Sequence, residues 1–152
     1  MKKYLFLVVV VILVQGFVSC SKDDGNNDLS VDPKPTWTVV TEGVVPQGMY
    51  ITMDAEGLPL VDGKVIAVNS GDILGAFIGG ECRGLAKPID EIDGKTHFYL
   101  KVRATESDEK DAPVSLRYYS TERQHVFYSE QFSFVADGEA GSLEEGFKPN
   151  WK

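Results

Sequence analysis

The sequence predicts a single all-β domain, an antiparallel β-sandwich of immunoglobulin-like character, behind a short export segment. Three observations lead there. The chain has 152 residues, 43% hydrophobic and 11% aromatic, which is one domain with a real core rather than two. From Thr36 onward, runs of β-branched and aromatic residues alternate with Gly, Asp and Asn turn signals, about eight or nine runs at the roughly 8–12-residue spacing of a sandwich or barrel. No stretch carries a 3.6-residue apolar period long enough for a convincing helix, which excludes strands alternating with long helices and hence a parallel α/β sheet. The formal charge of −8 argues against nucleic acid as a partner, since phosphates need a basic face.

The first element lies outside the fold. Lys2 and Lys3 precede an unbroken apolar run, Tyr4 to Val14. A membrane-spanning helix needs about 20 such residues, so this reads as the core of a signal peptide, Met1 to Ser19. The run ends at Gln15-Gly16, and Phe17-Val18-Ser19-Cys20 after it, a small residue directly before a cysteine, resembles the bacterial lipoprotein signal. The resemblance implies that Cys20 receives a lipid and becomes the new N-terminus, a membrane anchor. Ser21 to Pro35 is polar and broken by Gly and Pro, with too little apolar surface to fold, and is expected to be a flexible tether from Cys20 to Pro35. Its Lys22-Asp23-Asp24 start is similar to the surface-export signal of Bacteroidetes lipoproteins, which implies display on the outer membrane, facing outward. With Cys20 lipidated, Cys82 has no partner for an internal disulfide and is expected to be buried as a small hydrophobe.

The domain is then Thr36 to Lys152. Trp37 to Thr41 and Met49 to Met53 are strand candidates. Asp54 to Gly57 is a turn, and Asp62-Gly63 is a tight turn before a strand at Lys64 to Val68. Asn69 to Asp72 turns again. Ile73 to Ala86 reads as a hairpin closed by Gly79-Gly80. That register pairs Ile78 with Glu81, Phe77 with Cys82, Gly75 with Gly84 and Ile73 with Ala86. Two facing glycines leave a bare strip suited to the close approach of another group, for which Trp37 is a candidate. Glu81 and Arg83 are expected to form an ion pair on one face.

Thr96 to Ala104 alternates strictly: Phe98, Leu100, Val102 and Ala104 inward, His97, Tyr99, Lys101 and Arg103 outward. Strands follow at Pro113 to Tyr119, His125 to Ser129 and Gln131 to Val135. A short helix near Ser142 to Glu145 is the best helical candidate. His125 and Trp151 suggest only a core or edge role.

Gly71-Asp-Ile-Leu-Gly-Ala-Phe, a turn, and then Cys82-Arg83-Gly84 resemble a module of secreted and surface Bacteroidetes proteins. The resemblance spans about Val65 to Val135, with Gly75-Ala76-Phe77 and Cys82-Arg83-Gly84 as its distinctive parts. It implies a β-sandwich accessory or adhesion module.

A Cys82 nucleophile needs a nearby His, and only His97 and His125 exist. No Gly-x-Ser-x-Gly elbow occurs. Asp90, Glu91, Asp93, Asp108, Glu109, Asp111, Glu144 and Glu145 supply loop carboxylates, but none stands out as a glycosidase pair. Two His and one Cys do not make a zinc site. Calcium is conceivable at Asp90-x-x-Asp93-Gly94 or at Asp108-Glu109-x-Asp111, neither an EF-hand; no other cofactor is indicated. One set suggests a ligand face: Tyr99, Lys101 and Arg103 on one strand and Arg117 and Tyr119 on the next. If those faces coincide, rings and cationic forks alternate as a sugar or an acidic partner requires. The expectation is a non-catalytic surface lipoprotein that binds glycans or mediates adhesion. The alternative is a structural or docking subunit of an outer-membrane complex.

Overall fold

A computed structural model of the chain describes residues 29–90, 94–108 and 110–152. The expected signal peptide, Cys20 and the tether up to residue 28 lie outside the described residues. In chain order the strands are β1 (Val44–Asp54), β2 (Leu60–Val61), β3 (Lys64–Val65), β4 (Ile73–Ile78), β5 (Glu81–Ala86) and β6 (Ile89–Asp90). They continue with β7 (Thr96–Thr105), β8 (Pro113–Ser120), β9 (His125–Tyr128), β10 (Phe132–Ser133) and β11 (Glu139–Ala140). The first layer is ordered β11-β1-β7-β6. The second is β10-β8-β4-β5, with β9 also on β8, and β2-β3 is a separate hairpin. The protein is therefore all-β and largely antiparallel, with β1–β11 a parallel contact, and it is not a barrel. The helical content among the described residues is one 3-10 turn, Ala55–Gly57, whose Gly57 N–H donates to the preceding Asp54 carboxylate at 3.2 Å.

Alternation in the long strands builds the core. Phe98, Leu100 and Val102 of β7 lie opposite Met53, Ile51 and Met49 of β1. The second layer returns Leu74, Ala76, Val114, Leu116, Tyr118 and Phe127, all buried. Phe98 and Tyr118 join the two layers edge to face, ring centroids 5.9 Å apart. Burying each such side chain contributes roughly 1.5–3 kcal/mol. Both hairpins close as their sequences demand: Asp62-Gly63 and Gly79-Gly80 all have positive φ, the geometry of a turn matched to strand twist.

The β4–β5 hairpin corrects one expected register. Phe77 pairs with Cys82 and Ile78 with Glu81, as expected. A bulge between Ala76 and Phe77 then sets Ala76 opposite Gly84 and Gly75 opposite Leu85. The two glycines consequently serve different neighbours. A Cβ on Gly75 would meet Phe77 at 2.8 Å and Trp37 at 3.1 Å, so Trp37 does lie there, edge-on to Phe77 with centroids 5.3 Å apart. A Cβ on Gly84 would stand 2.2 Å from the Lys101 carbonyl of β7. Gly84 is where the edge of one layer meets the other.

Other elements depart from expectation. Trp37 to Thr41 is not a strand; Val40 N–H donates to Cys82 O at 2.9 Å, and the segment is held by the Trp37 ring instead of a ladder. Only Lys64–Val65 of the expected Lys64–Val68 strand pairs. Ser142 to Glu145 is a turn, closed by Ser142 N–H to Glu145 O at 2.8 Å and Glu145 N–H to Ser142 Oγ at 3.1 Å. The described end of the expected tether, residues 29–35, lies against the domain. Leu29 packs on the core, Asp32 N–H donates to Gln124 O at 2.7 Å, and Val126 N–H donates to the Asp32 carboxylate at 2.9 Å. His125 Nδ1 is 2.8 Å from Ser30 O and 2.9 Å from Asp32 Oδ2. Both are acceptors, so Nδ1 carries the proton.

Candidate functional site

The outward face of the first layer is the candidate site. Strand pairing sets Asp54 opposite His97, Thr52 opposite Tyr99, Tyr50 opposite Lys101 and Gly48 opposite Arg103. Glu139 of β11 flanks Tyr50 on the far side. Tyr50 and Tyr99 are 48% and 38% exposed. They sit diagonally across the β1–β7 pair, a relationship of about 7–8 Å in antiparallel sheets. The Lys101 ammonium lies 5.4 Å from the centre of the Tyr50 ring, within cation–π range. Its stem crosses Gly48, where a Cβ would stand 2.8 Å from Lys101 Cε. His97, expected on the polar face, points that way but is fully buried, its ring stacked 6.0 Å from Tyr99.

The five expected ligand residues are divided between the layers. Tyr99, Lys101 and Arg103 share the face just described. Arg117 and Tyr119 lie on the outer side of the second layer, opposite Gly75 and Ile73, so the two faces do not coincide. There the Arg117 guanidinium stacks 3.9 Å over the Phe77 ring and 5.6 Å from Tyr128, and Tyr119 is buried. Tyr50 and Thr52, which sequence reasoning did not single out, take the places beside Tyr99 and Lys101. Their signal was the alternation with Met49, Ile51 and Met53; what the sequence lacks is the register of β1 against β7.

The remaining chemical groups are committed to structure. Cys82 is buried opposite Phe77, its Sγ within 3.5 Å of Gly84 O. Burial pushes its thiol pKa up. Arg83 is buried and forms the expected pair with Glu81 at 3.0 Å, and it also grips Asp108. Asp108 further accepts from Thr105 N–H at 2.6 Å. That carboxylate is already neutralised by a fixed cation, which disfavours the calcium site considered there. Asp90 accepts from Thr96 Oγ1 at 2.9 Å; Glu91, Asp93 and Glu109 lie outside the described residues. Among the described residues no group of three or more His, Cys, Asp or Glu is placed to hold a metal. Glu56 and Lys148 form an exposed pair at 2.9 Å, which lowers the Glu56 pKa and raises that of Lys148.

An open cleft of about 400 Å³ lies at one end of the layers, floored by Val45, Ala104, Phe134 and Val135 and rimmed by Lys110 and Asp111. Comparison of the chain with known protein families, with curated proteins and with solved structures gives no match.

Proposed function

We propose that the chain is a lipid-anchored surface protein whose domain binds glycans or mediates adhesion without catalysis of its own. One observation carries the reading: two exposed tyrosines, Tyr50 and Tyr99, set diagonally on a strand pair beside Lys101 and Arg103. Tyrosine rings offer apolar area with a polar tip, and the cations supply donors for hydroxyl or carboxylate oxygens. The anchor rests on the sequence, on the signal core followed by Ser19-Cys20. A lipid there ties the domain to an outer membrane, and Lys22-Asp23-Asp24 supports display on its outward side. We read the two antiparallel layers as an immunoglobulin-like sandwich. The chain supports this by crossing between layers after β1, β5, β7 and β10.

A docking role within an outer-membrane complex is the second reading. Leu60 and Val65 favour it: they face each other on the β2–β3 hairpin, 63% and 41% exposed. A glycan array probed with the full chain and with Tyr50→Ala/Tyr99→Ala separates the two. Binding that the double variant loses supports the glycan reading. A blank array together with a cross-linked protein partner lost in Leu60→Asp/Val65→Asp favours docking.

A further inference from the structure

Resting on the glycan reading of the same face, we infer that its ligand is an acidic oligosaccharide whose carboxylate sits between Lys101 and Arg103. The two cations are neighbours two residues apart on one side of β7. Like charges so placed repel each other. Among the described residues neither has a carboxylate partner, whereas Arg83, His125 and Lys148 each have one. In a chain of net charge −8, acids to pair with them are plentiful, yet none of the described ones forms an ion pair with either.

The local backbone reinforces the arrangement. Gly48, opposite Arg103, has no side chain, and the Lys101 stem lies across it. The ammonium is thereby turned toward the Arg103 end of the face while remaining beside Tyr50. A ligand carboxylate there accepts a paired contact from the guanidinium and a point contact from the ammonium. Its sugar ring covers Tyr50 and reaches toward Tyr99. Glu139, on the other side of Tyr50, repels an anion and so fixes which way the acid points. A saccharide is favoured over an acidic peptide because the charges lie beside two exposed tyrosines, on strands that are both interior to the sheet and so offer no free strand edge.

The test uses the full chain in mild detergent and calorimetric titration with oligogalacturonate, oligoguluronate and hyaluronan fragments, each beside its methyl ester, and with hexaglutamate. At least one uronate is expected to bind about tenfold or more tightly than its ester, the difference one charge-assisted contact supplies. Lys101→Gln/Arg103→Gln is expected to erase that difference, weakening the uronate by about tenfold more than its ester. Tyr50→Ala/Tyr99→Ala is expected to lose both. Esters binding as well as acids, or an unaffected Lys101→Gln/Arg103→Gln variant, overturns the inference and leaves the glycan reading standing. Hexaglutamate binding more tightly than every uronate overturns it in favour of an acidic peptide. No binding here combined with a blank neutral glycan array removes both.

Discussion

The Arg83 guanidinium holds the Asp108 carboxylate through two N–H···O bonds, 2.6 and 3.0 Å long. Arg83 is on β5 of the second layer, and Asp108 follows β7 of the first. The pair therefore clamps the layers at the same edge where Gly84 meets the Lys101 carbonyl. Both side chains are nearly inaccessible, 3% and 7% exposed.

Removing Arg83 strands the buried Asp108 carboxylate, and removing Asp108 leaves the buried guanidinium with only the exposed Glu81. Arg83→Met and Asp108→Asn are each expected to destabilise the fold by about 3–5 kcal/mol. The double variant is expected to lose much less than the sum, because neither charge is then left alone. Urea unfolding of the four proteins of this cycle gives the coupling. Additive losses would mean the clamp is not a unit.

A second tie joins the loop before β4 to the end of β8. The buried Asp72 carboxylate accepts from Tyr118 Oη at 2.5 Å, Asn69 N–H at 2.9 Å, Thr121 N–H at 2.8 Å and Thr121 Oγ1 at 2.6 Å. Burial first, and the Asp72 contact second, push the Tyr118 pKa well above its ordinary value. The folded state thus keeps a proton that the unfolded chain releases near pH about 10. Stability from this group is full below that pH and falls as pH rises beyond it. Tyr118→Phe is expected to flatten the alkaline decline and to remove a phenolate signal at 295 nm that otherwise appears only with unfolding. An unchanged alkaline midpoint would refute the assignment.

How much of this was legible in the sequence depends on the range of the interaction. Strict alternation in Thr96–Ala104 fixed the inward row of β7, and Asp62-Gly63 and Gly79-Gly80 announced both turns, because each is decided by residues a few places apart. The register shift between Ala76 and Phe77 was not legible, because Gly84, which it sets opposite Ala76, also faces the Lys101 carbonyl, a contact between layers. For the same reason Arg117 and Tyr119 were grouped with Tyr99. Sequence neighbours β7 and β8 cross between sheets, and nothing local to either strand records the crossing. Tyr50 was missed because its partner on the face is about 50 residues away in the chain, a pairing only the fold reveals.

The two glycines of the hairpin are expected to differ. Gly84→Ala drives a methyl to 2.2 Å from a backbone carbonyl, while Gly75→Ala meets the rims of Phe77 and Trp37 at 2.8 and 3.1 Å. Side chains yield more readily than a strand backbone. Gly84→Ala is expected to cost more, beyond the roughly 1–3 kcal/mol of ordinary overpacking, and Gly75→Ala to stay within it. Thermal unfolding of the two variants checks the order.

Cys82 is expected to be a slow thiol. Reaction needs the thiolate, and burial both raises its pKa and blocks approach. In a Cys20→Ser chain, where Cys82 is the one remaining cysteine, disulfide reagents at pH 8 are expected to label it more than about tenfold more slowly when folded than in urea. Equal rates would place the thiol at the surface.

The segment before Thr36 is expected to contribute to stability. Leu29 packs on the core, and Ser30 and Asp32 engage His125, Gln124 and Val126 along β9. Protein starting at Thr36 loses that apolar contact and strips the Val126 N–H of its acceptor. A loss of about 1–3 kcal/mol follows from an unsatisfied buried donor and one partly buried Leu. Asp32→Ala is expected to reproduce the hydrogen-bond part alone. Urea midpoints for the chains starting at Leu29 and at Thr36 decide it, and equal midpoints would show that residues 29–35 rest on the domain without stabilising it. Because this strap lies on the second layer, its removal is expected to leave ligand binding at Tyr50 and Tyr99 unchanged once the protein is folded. That separates stability from recognition in any truncated form.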